Sequence, residues 1–209
     1  MIPIPERGLY LASRSPRRRE LLSQIGVRYH LLLFRERLGE HPEVDEAPLA
    51  SEAPAAYVER MARAKAEAGW RRMLQRNLPP APVLAADTTV ALGGRILGKP
   101  RDRAEASEML AALSGQTHEV LTGVALKNQD ETEFALSRSE VQVKKLSAEE
   151  IAQYVASGEG DDKAGAYAIQ GRAARFVVEL RGSYSGVMGL PLYETGELLE
   201  RIRERRNPY

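Results

Sequence analysis

The stretch from Leu11 to Gly26 constrains the fold more than any other part of the chain. A short apolar run, Leu9 to Ala12, has the pattern of a buried strand and leads directly into a helix signature. Ser15 offers a hydroxyl N-cap, and Pro16 stands at the first helical position, where its missing N–H removes no hydrogen bond. Leu21, Leu22 and Ile25 supply the apolar face, and Gly26 closes the helix as a C′ residue. Helix formation does not explain Arg17, Arg18 and Arg19 in the first turn, where cations oppose the macrodipole at a cost of about a few tenths of a kcal/mol each. A bound polyanion explains them, because free N–H groups, the dipole and guanidinium forks all favour phosphate. The alternative is a solvated basic face paired with Glu20 or with acids elsewhere.

Val27 to Phe34 predicts a strand through Tyr29, Leu31, Leu32 and Leu33. Residues 35–53 turn acidic and proline-containing around His41-Pro-Glu-Val-Asp45-Glu46, which predicts a loop, the kind of segment that carries function disproportionately. A solvated acidic connector is the plainer alternative. A helix is predicted from Pro54 to Gln75, with Tyr57, Val58, Met61, Ala64 and Ala68 facing the core. Arg60 and Lys65 border that stripe, where long stems pack while charged heads reach a cleft. Val83-Leu-Ala-Ala-Asp87 is a second buried-strand pattern with a carboxylate at its C-terminal end, where ligands gather in open α/β sheets. Thr88 and Thr89 then predict a polar loop, and Val90 to Leu97 a hairpin around Gly93-Gly94.

Gly93 to Lys99 fits the phosphate-loop pattern until its eighth position, where Pro100 has no hydroxyl for magnesium and biases Lys99 away from helix. That motif is rejected, although Lys99 remains a phosphate partner beside Asp87. Downstream, a helix over 104–113 and strands over 118–126 and 132–145 are predicted, with Asn128-Gln-Asp130 as the turn between them. Ser147 with Glu150 makes a capping box. The closely spaced small residues of Gly158 to Gly171 predict a poor core and a good binding surface. Phe176 to Leu180 predicts a strand, Gly182 to Gly186 a turn, and the chain ends in a helix with a charged tail over 201–206. This order of elements predicts an α/β fold. A mixed central sheet is flanked by helices, as a single domain over 1–209 with two lobes around one cleft.

Composition narrows the chemistry. The chain of 209 residues is long enough for ample core, and 30 basic against 29 acidic residues leave a net charge of +1. No global basic field exists to hold nucleic acid by counterion release, and none is expected as a partner. There is no cysteine for a disulfide, a thiolate metal site or a nucleophile. His30, His41 and His118 lack ligand spacing to one another. Pro3, Pro5, Glu6 and Arg7 interrupt any signal-like run, and no apolar stretch is long enough for a bilayer, so a soluble, cytoplasmic protein without membrane partners is expected.

Taken together, the motifs resemble the Maf family of nucleoside triphosphate pyrophosphatases. The family's opening signature stands here as Ser13-Arg-Ser15-Pro16-Arg17-Arg18, followed by the acidic pair Asp45-Glu46 and by Arg60-Met-Ala-Arg-Ala-Lys65-Ala. Ala86-Asp87-Thr88, Gly98-Lys99-Pro100, Leu113-Ser-Gly-Gln-Thr-His118, Thr122-Gly-Val, Asp162-Lys163-Ala-Gly and Gly189-Leu-Pro-Leu continue in family order. Ala164 to Gly171, with Gly182-Ser-Tyr184, is similar to the branch acting on dTTP and UTP.

The resemblance makes the cleft between the two lobes a nucleotide-binding cleft and implies hydrolysis to a nucleoside monophosphate and pyrophosphate, extending to modified pyrimidine nucleotides. It implies a homodimer, since the family often dimerises. Ser13, Arg17, Arg18, Lys65 and Lys99 suit the phosphates, and Glu46 and Asp87 suit a divalent cation, Mg²⁺ first and Mn²⁺ in its place. Asp87 is the expected general base or the holder of that metal, two roles that spacing leaves open. Specificity is implied at Arg17, Thr88 and Gln170, the last offering an amide donor and acceptor to a pyrimidine's imide edge. Two other classes compete: a nucleic-acid-binding module using Arg17–Arg19, and a non-catalytic nucleotide-binding regulator. Near-neutral charge and sparse aromatics oppose the first; retention of Glu46, Lys65, Asp87 and Lys99 together opposes the second.

Overall fold

Strand β1 (Leu9–Leu11), helix α1 (Pro16–Gln24) and strand β2 (Tyr29–Leu31) form the first unit of the computed structural model, with β1 and β2 parallel. The structure describes residues 8–33, 44–129 and 131–206, with side chains as far as Ile202. Phe34, His41, Asp130 and most of the charged tail after Ile202 lie outside the described side chains. Gly26 takes the left-handed conformation that ends α1 (φ 71°), and Leu21 and Leu22 are buried beneath it. Ser15 holds the N-cap position without a side-chain capping bond; the Ser13 hydroxyl instead accepts the Ser15 N–H at 3.2 Å. β2 is shorter than its apolar run predicts, because it pairs only with β1 and the register ends at Leu11↔Leu31.

Helix α2 (Pro54–Gln75) carries the chain to β3 (Val83–Leu92), which lies on the other side of β1 and parallel to it. β4 (Arg95–Leu97), α3 (Arg103–Leu113), β5 (Thr117–Lys127), β6 (Thr132–Val143), α4 (Ala148–Ala156), β7 (Val177–Arg181), α5 (Tyr184–Met188) and α6 (Leu192–Arg206) follow. The seven-stranded mixed sheet runs β2-β1-β3-β5-β6-β7, with β4 paired to β3 alone and every pairing beyond β1–β3 antiparallel. Ser147 and Glu150 form the expected capping box on α4, and Asp102 caps α3. Gly182 to Gly186, predicted as a turn, contains instead the start of α5. The Ser183 hydroxyl accepts the Gly186 N–H at 2.9 Å and nucleates the helix.

The core is divided in a way that makes the two lobes. Leu9 and Leu11 pack with Leu21, Leu22, Leu84, Ala86 and Leu198 of α1, β3 and α6, while Tyr10 and Ala12 pack with Ala62, Ala66, Val83 and Ala85 on the α2 side. Helices α1 and α2 therefore cover opposite faces of the sheet. A separate cluster gathers Val90, Leu97, Leu110, Val141, Tyr154, Tyr167 and Phe176 around α3 and α4. Residues 165–169, predicted as a poor core, belong to this third cluster or are buried beside it, and only their flanks face solvent. Their small side chains let two backbone segments close on each other: a Cβ on Gly160 would meet the Ala166 carbonyl at 2.1 Å.

Candidate active site

The chain order β1–α1–β2–α2–β3, with β2 and β3 on opposite sides of β1 and the helices on opposite faces, makes a topological switch point between β1 and β3. Crevices outside the carboxyl ends of strands open at such points. β5 occupies one edge of β3 from Val83 to Ala91. β1 and β4 share the other edge, β1 at Val83–Leu84 and β4 at Val90–Leu92. Among the described residues no strand pairs with that edge from Ala85 to Thr89, and just before this stretch Ala12, following β1, donates its N–H to the Leu84 carbonyl at 2.9 Å. Asp87 lies in this gap. It is mid-strand, not at a strand end as predicted, because the pairing with β5 carries β3 through Thr88 and Thr89 into the hairpin.

Asp87 is 8% exposed, and its Oδ1 accepts from Lys65 Nζ at 2.6 Å. The same ammonium lies 2.6 Å from Glu46 Oε1, so one cation from α2 draws a strand carboxylate and a loop carboxylate together. Glu46 Oε2 is 3.9 Å from Lys99 Nζ. Burial opposes ionisation of Glu46, but Lys65, Lys99 and Arg18 outweigh it and hold the carboxyl below its ordinary range. Asp45, the other half of the acidic pair, turns away and accepts the Ala47 N–H at 2.9 Å.

What holds Glu46 in place is not legible as a motif role. The Tyr57 hydroxyl donates to the Glu46 carbonyl at 3.0 Å, and Arg60 donates to the Ala47 carbonyl at 3.0 Å. Arg60 also grips Glu52 through two bonds of 2.7 and 2.6 Å. Burial, with Asp87 and Glu46 nearby, raises the Tyr57 pKa, so the phenol stays protonated and remains a donor. Two side chains one helical turn apart on α2 therefore fix the loop, and the same helix supplies Lys65. A groove of about 470 Å³ lined by Val44, Asp45, Arg60, Met61 and Ala64 lies beside this loop rather than at Asp87.

Arg18 ties α1 to the centre. It donates to the Gly189 carbonyl at 2.7 Å, to the Ser13 hydroxyl at 3.2 Å and to the Thr88 hydroxyl at 3.4 Å. Burial lowers its pKa while Asp87 and Glu46 oppose that, and a guanidinium there stays charged. Thr88 points to the face opposite Asp87 and meets the Thr122 hydroxyl at 2.9 Å, which donates to the Gly186 carbonyl at 2.8 Å. Arg17 is half-buried, and burial lowers its pKa against Glu20. Gln170 stands exposed beyond the buried 165–169 segment, and no hydrogen bond among the described residues joins it to Arg17 or Thr88. Two contact groups result, Ser13, Arg18 and Thr88 in one and Lys65, Glu46, Asp87 and Lys99 in the other, with Arg18 acting on Asp87 and Glu46 through its charge; Gln170 joins neither.

The matching family is described as Maf-like protein, and the match runs over residues 8–202. This chain belongs to the Maf family. It is 59% identical over 192 residues to a protein of Nitrosomonas europaea named dTTP/UTP pyrophosphatase, covering 92% of this chain and 93% of that one. Proteins of the same name from Dechloromonas aromatica (58% over 194 residues, 93% and 96% covered) and Aromatoleum aromaticum (57% over 202 residues, 96% and 97% covered) are similar throughout. A solved structure of the Staphylococcus aureus Ham1 protein overlaps 65% of this chain and 71% of its own, with TM-score 0.42 and 16% identity.

Several of the Maf motifs do structural work around this centre. In Thr122-Gly123, the threonine relays Thr88 to α5, and the glycine lets the Val58 carbonyl of α2 approach, since a Cβ there would meet it at 2.8 Å. Gly98 accepts the Gly165 N–H at 3.1 Å. Ser114 accepts the Leu146 N–H at 2.7 Å, and His118 Nε2 meets the Tyr167 hydroxyl at 2.8 Å.

Proposed function

We propose that the chain hydrolyses dTTP and UTP, releasing the nucleoside monophosphate and pyrophosphate. The observation that carries this reading is the Lys65 ammonium held 2.6 Å from both Glu46 and Asp87, with Lys99 and Arg18 beside them. Relatives named dTTP/UTP pyrophosphatase, 57–59% identical over nearly their full length, support the same substrates. Modified pyrimidine nucleotides with the same imide edge fall in the same class.

Neutralising and orienting the triphosphate is the main electrostatic task, and it falls to Ser13, Arg17, Arg18, Lys65 and Lys99. Water attacks the α-phosphorus, forming one P–O bond. The bond to the oxygen bridging to the β-phosphate breaks, and pyrophosphate leaves with the electron pair. Asp87 accepts the proton that water sheds; Lys65 fixes one of its oxygens and leaves the other for the water. Glu46 keeps Lys65 and Lys99 oriented through its two oxygens.

The donor set also suits a divalent metal. Glu46 and Asp87 are hard oxygen ligands drawn together by the Lys65 ammonium between them, and among the described residues no cluster of three or more His, Cys, Asp or Glu could hold an ion alone. Two carboxylates, with substrate phosphate and water completing the shell, would hold Mg²⁺, with Mn²⁺ as a substitute. When bound, such an ion polarises phosphoryl oxygens and makes bound water more acidic.

The test is pyrophosphate release from a panel of nucleoside triphosphates with Mg²⁺, with and without EDTA, beside the Asp87→Asn variant. Release from dTTP and UTP should vanish with EDTA and fall roughly 10²–10⁴-fold in the variant, with the melting temperature retained. Preference for a methylated guanine nucleotide would overturn the substrate assignment. No release from any nucleotide would overturn the reaction.

A further inference from the structure

Lys163 stands beside this site and takes no part in the steps above. Its side chain is only 14% exposed, deep for a lysine, and its ammonium pairs with Asp162, whose side chain is 76% exposed. The loop carrying it is pinned. Gly165 donates its N–H to the Gly98 carbonyl at 3.1 Å, one residue before Lys99. Gly165 itself is left-handed (φ 67°) and packs on Val90 of β3, where a Cβ would approach the Val90 side chain to 2.9 Å. Lys163 and Lys99 are thereby brought together from two different connections, and Arg17 acts on Lys163 from the first turn of α1.

Burial lowers the Lys163 pKa to about 8, with Arg17 and Lys99 acting in the same direction and Glu159 and Asp161 opposing. Among the described residues, Asp162 pairs with it directly. A partly buried ammonium among like charges, with an exposed carboxylate as its ion-pair partner among the described residues, is a poor resting arrangement and a good anion site. The cations also share connections: Glu46 lies 2.6 Å from Lys65 and 3.9 Å from Lys99, and the Gly98–Gly165 bond joins the Lys99 segment to the Lys163 loop.

We propose that Lys163 holds the leaving half of the substrate, binding the β- or γ-phosphate while Asp87 and Lys65 serve the α-phosphate. The proposal rests on the pyrophosphatase reading of the site. As the bridging bond breaks, charge accumulates on the β-phosphate, where an ammonium stabilises the departing pyrophosphate.

The experiment measures binding of inorganic pyrophosphate and, separately, of dTMP to the wild-type chain, Lys163→Met and Lys163→Arg, by calorimetry with melting curves alongside. Lys163→Met should weaken pyrophosphate binding roughly 10- to 100-fold and leave dTMP binding unchanged. Lys163→Arg should restore most of the loss. In turnover, wild-type KM should rise above about pH 8 as Lys163 loses its proton, and that rise should be absent in Lys163→Arg, whose guanidinium stays charged. Unchanged pyrophosphate binding in a folded Lys163→Met protein, or a loss confined to dTMP, would overturn the proposal. If wild-type chain neither binds pyrophosphate nor releases it from any nucleotide, the pyrophosphatase reading fails, and the proposal with it. Wild-type activity with unaltered Lys163→Met binding sinks the proposal alone.

Discussion

His118 shows how a single residue of a motif can serve the fold instead of the chemistry. It is 2% exposed, its Nε2 meets the Tyr167 hydroxyl, and its Nδ1 has no partner among the described residues. Burial pushes its pKa down to about 4 from an ordinary 6.5. Between those values the unfolded chain binds a proton that the folded chain refuses, so stability rises with pH across that window. The contribution is full above pH 6.5 and is lost as pH falls toward 4, on the order of 3 kcal/mol in all. Thermal melts at a series of pH values should therefore show a slope over this window that His118→Asn flattens. An unchanged slope in that variant would place the acid sensitivity elsewhere. The histidine stands out in the sequence, but its burial depends on Tyr167, 49 residues away.

At the scale of elements, the spacing between α2 and the sheet decides whether Lys65 reaches Asp87. Two glycines set it. A Cβ on Gly123 of β5 would meet the Val58 carbonyl at 2.8 Å and the Phe134 ring at 2.9 Å. On Gly69 of α2 it would meet Val83 at 2.7 Å and Ala12 at 3.0 Å. Gly123→Ala should push α2 outward, costing about 1–3 kcal/mol of stability by overpacking. Because Lys65 rides on that helix, turnover should fall further than the melting temperature alone explains. The comparison is kcat measured well below the variant's melting point; wild-type kcat there would disconnect helix spacing from the site. The helix span Pro54–Gln75 was legible from periodicity and the flanking prolines. Gly69, Ala62 and Ala66, missing from the predicted apolar stripe, are small because the sheet is so close.

Over the whole molecule, the residues proposed for the site stand on separate core clusters. Lys65 and Ser13 belong with the part packed around α1 and α2, while Lys163 and Gln170 flank a segment packed with α3 and α4. Asp87 lies on β3 between them, with Ala86 in one cluster and Val90 in another. On the proposed reading, reaction and base choice fall on different clusters and are separable by mutation. Gln170→Ala should lower the preference for UTP over CTP more than it lowers UTP turnover, because a mismatched amide no longer leaves a polar group unpaired. Equal losses on all nucleotides, measured as kcat/KM, would count against a role in base choice. Among the described residues no helix is long and apolar enough to cross a membrane.

The sequence by itself determined most of the elements, though not α5 or the run of β3 through Thr88 and Thr89, and which side chains carry the charge to suit the proposed triphosphate. Local signals sufficed for that: Pro16 after a strand, the Ser147–Glu150 capping box, Gly93-Gly94 in a hairpin, and charged residues bordering apolar runs. Only the tertiary structure decided where the charges meet. Asp87 became a mid-strand residue because β5 pairs along β3 while β1 and β4 leave a gap opposite it. Lys163 came to Lys99 through one backbone bond between residues 98 and 165. Local propensity acts over a few residues, whereas the potential at a site depends on distances set by strand register and helix packing, between positions far apart in the chain.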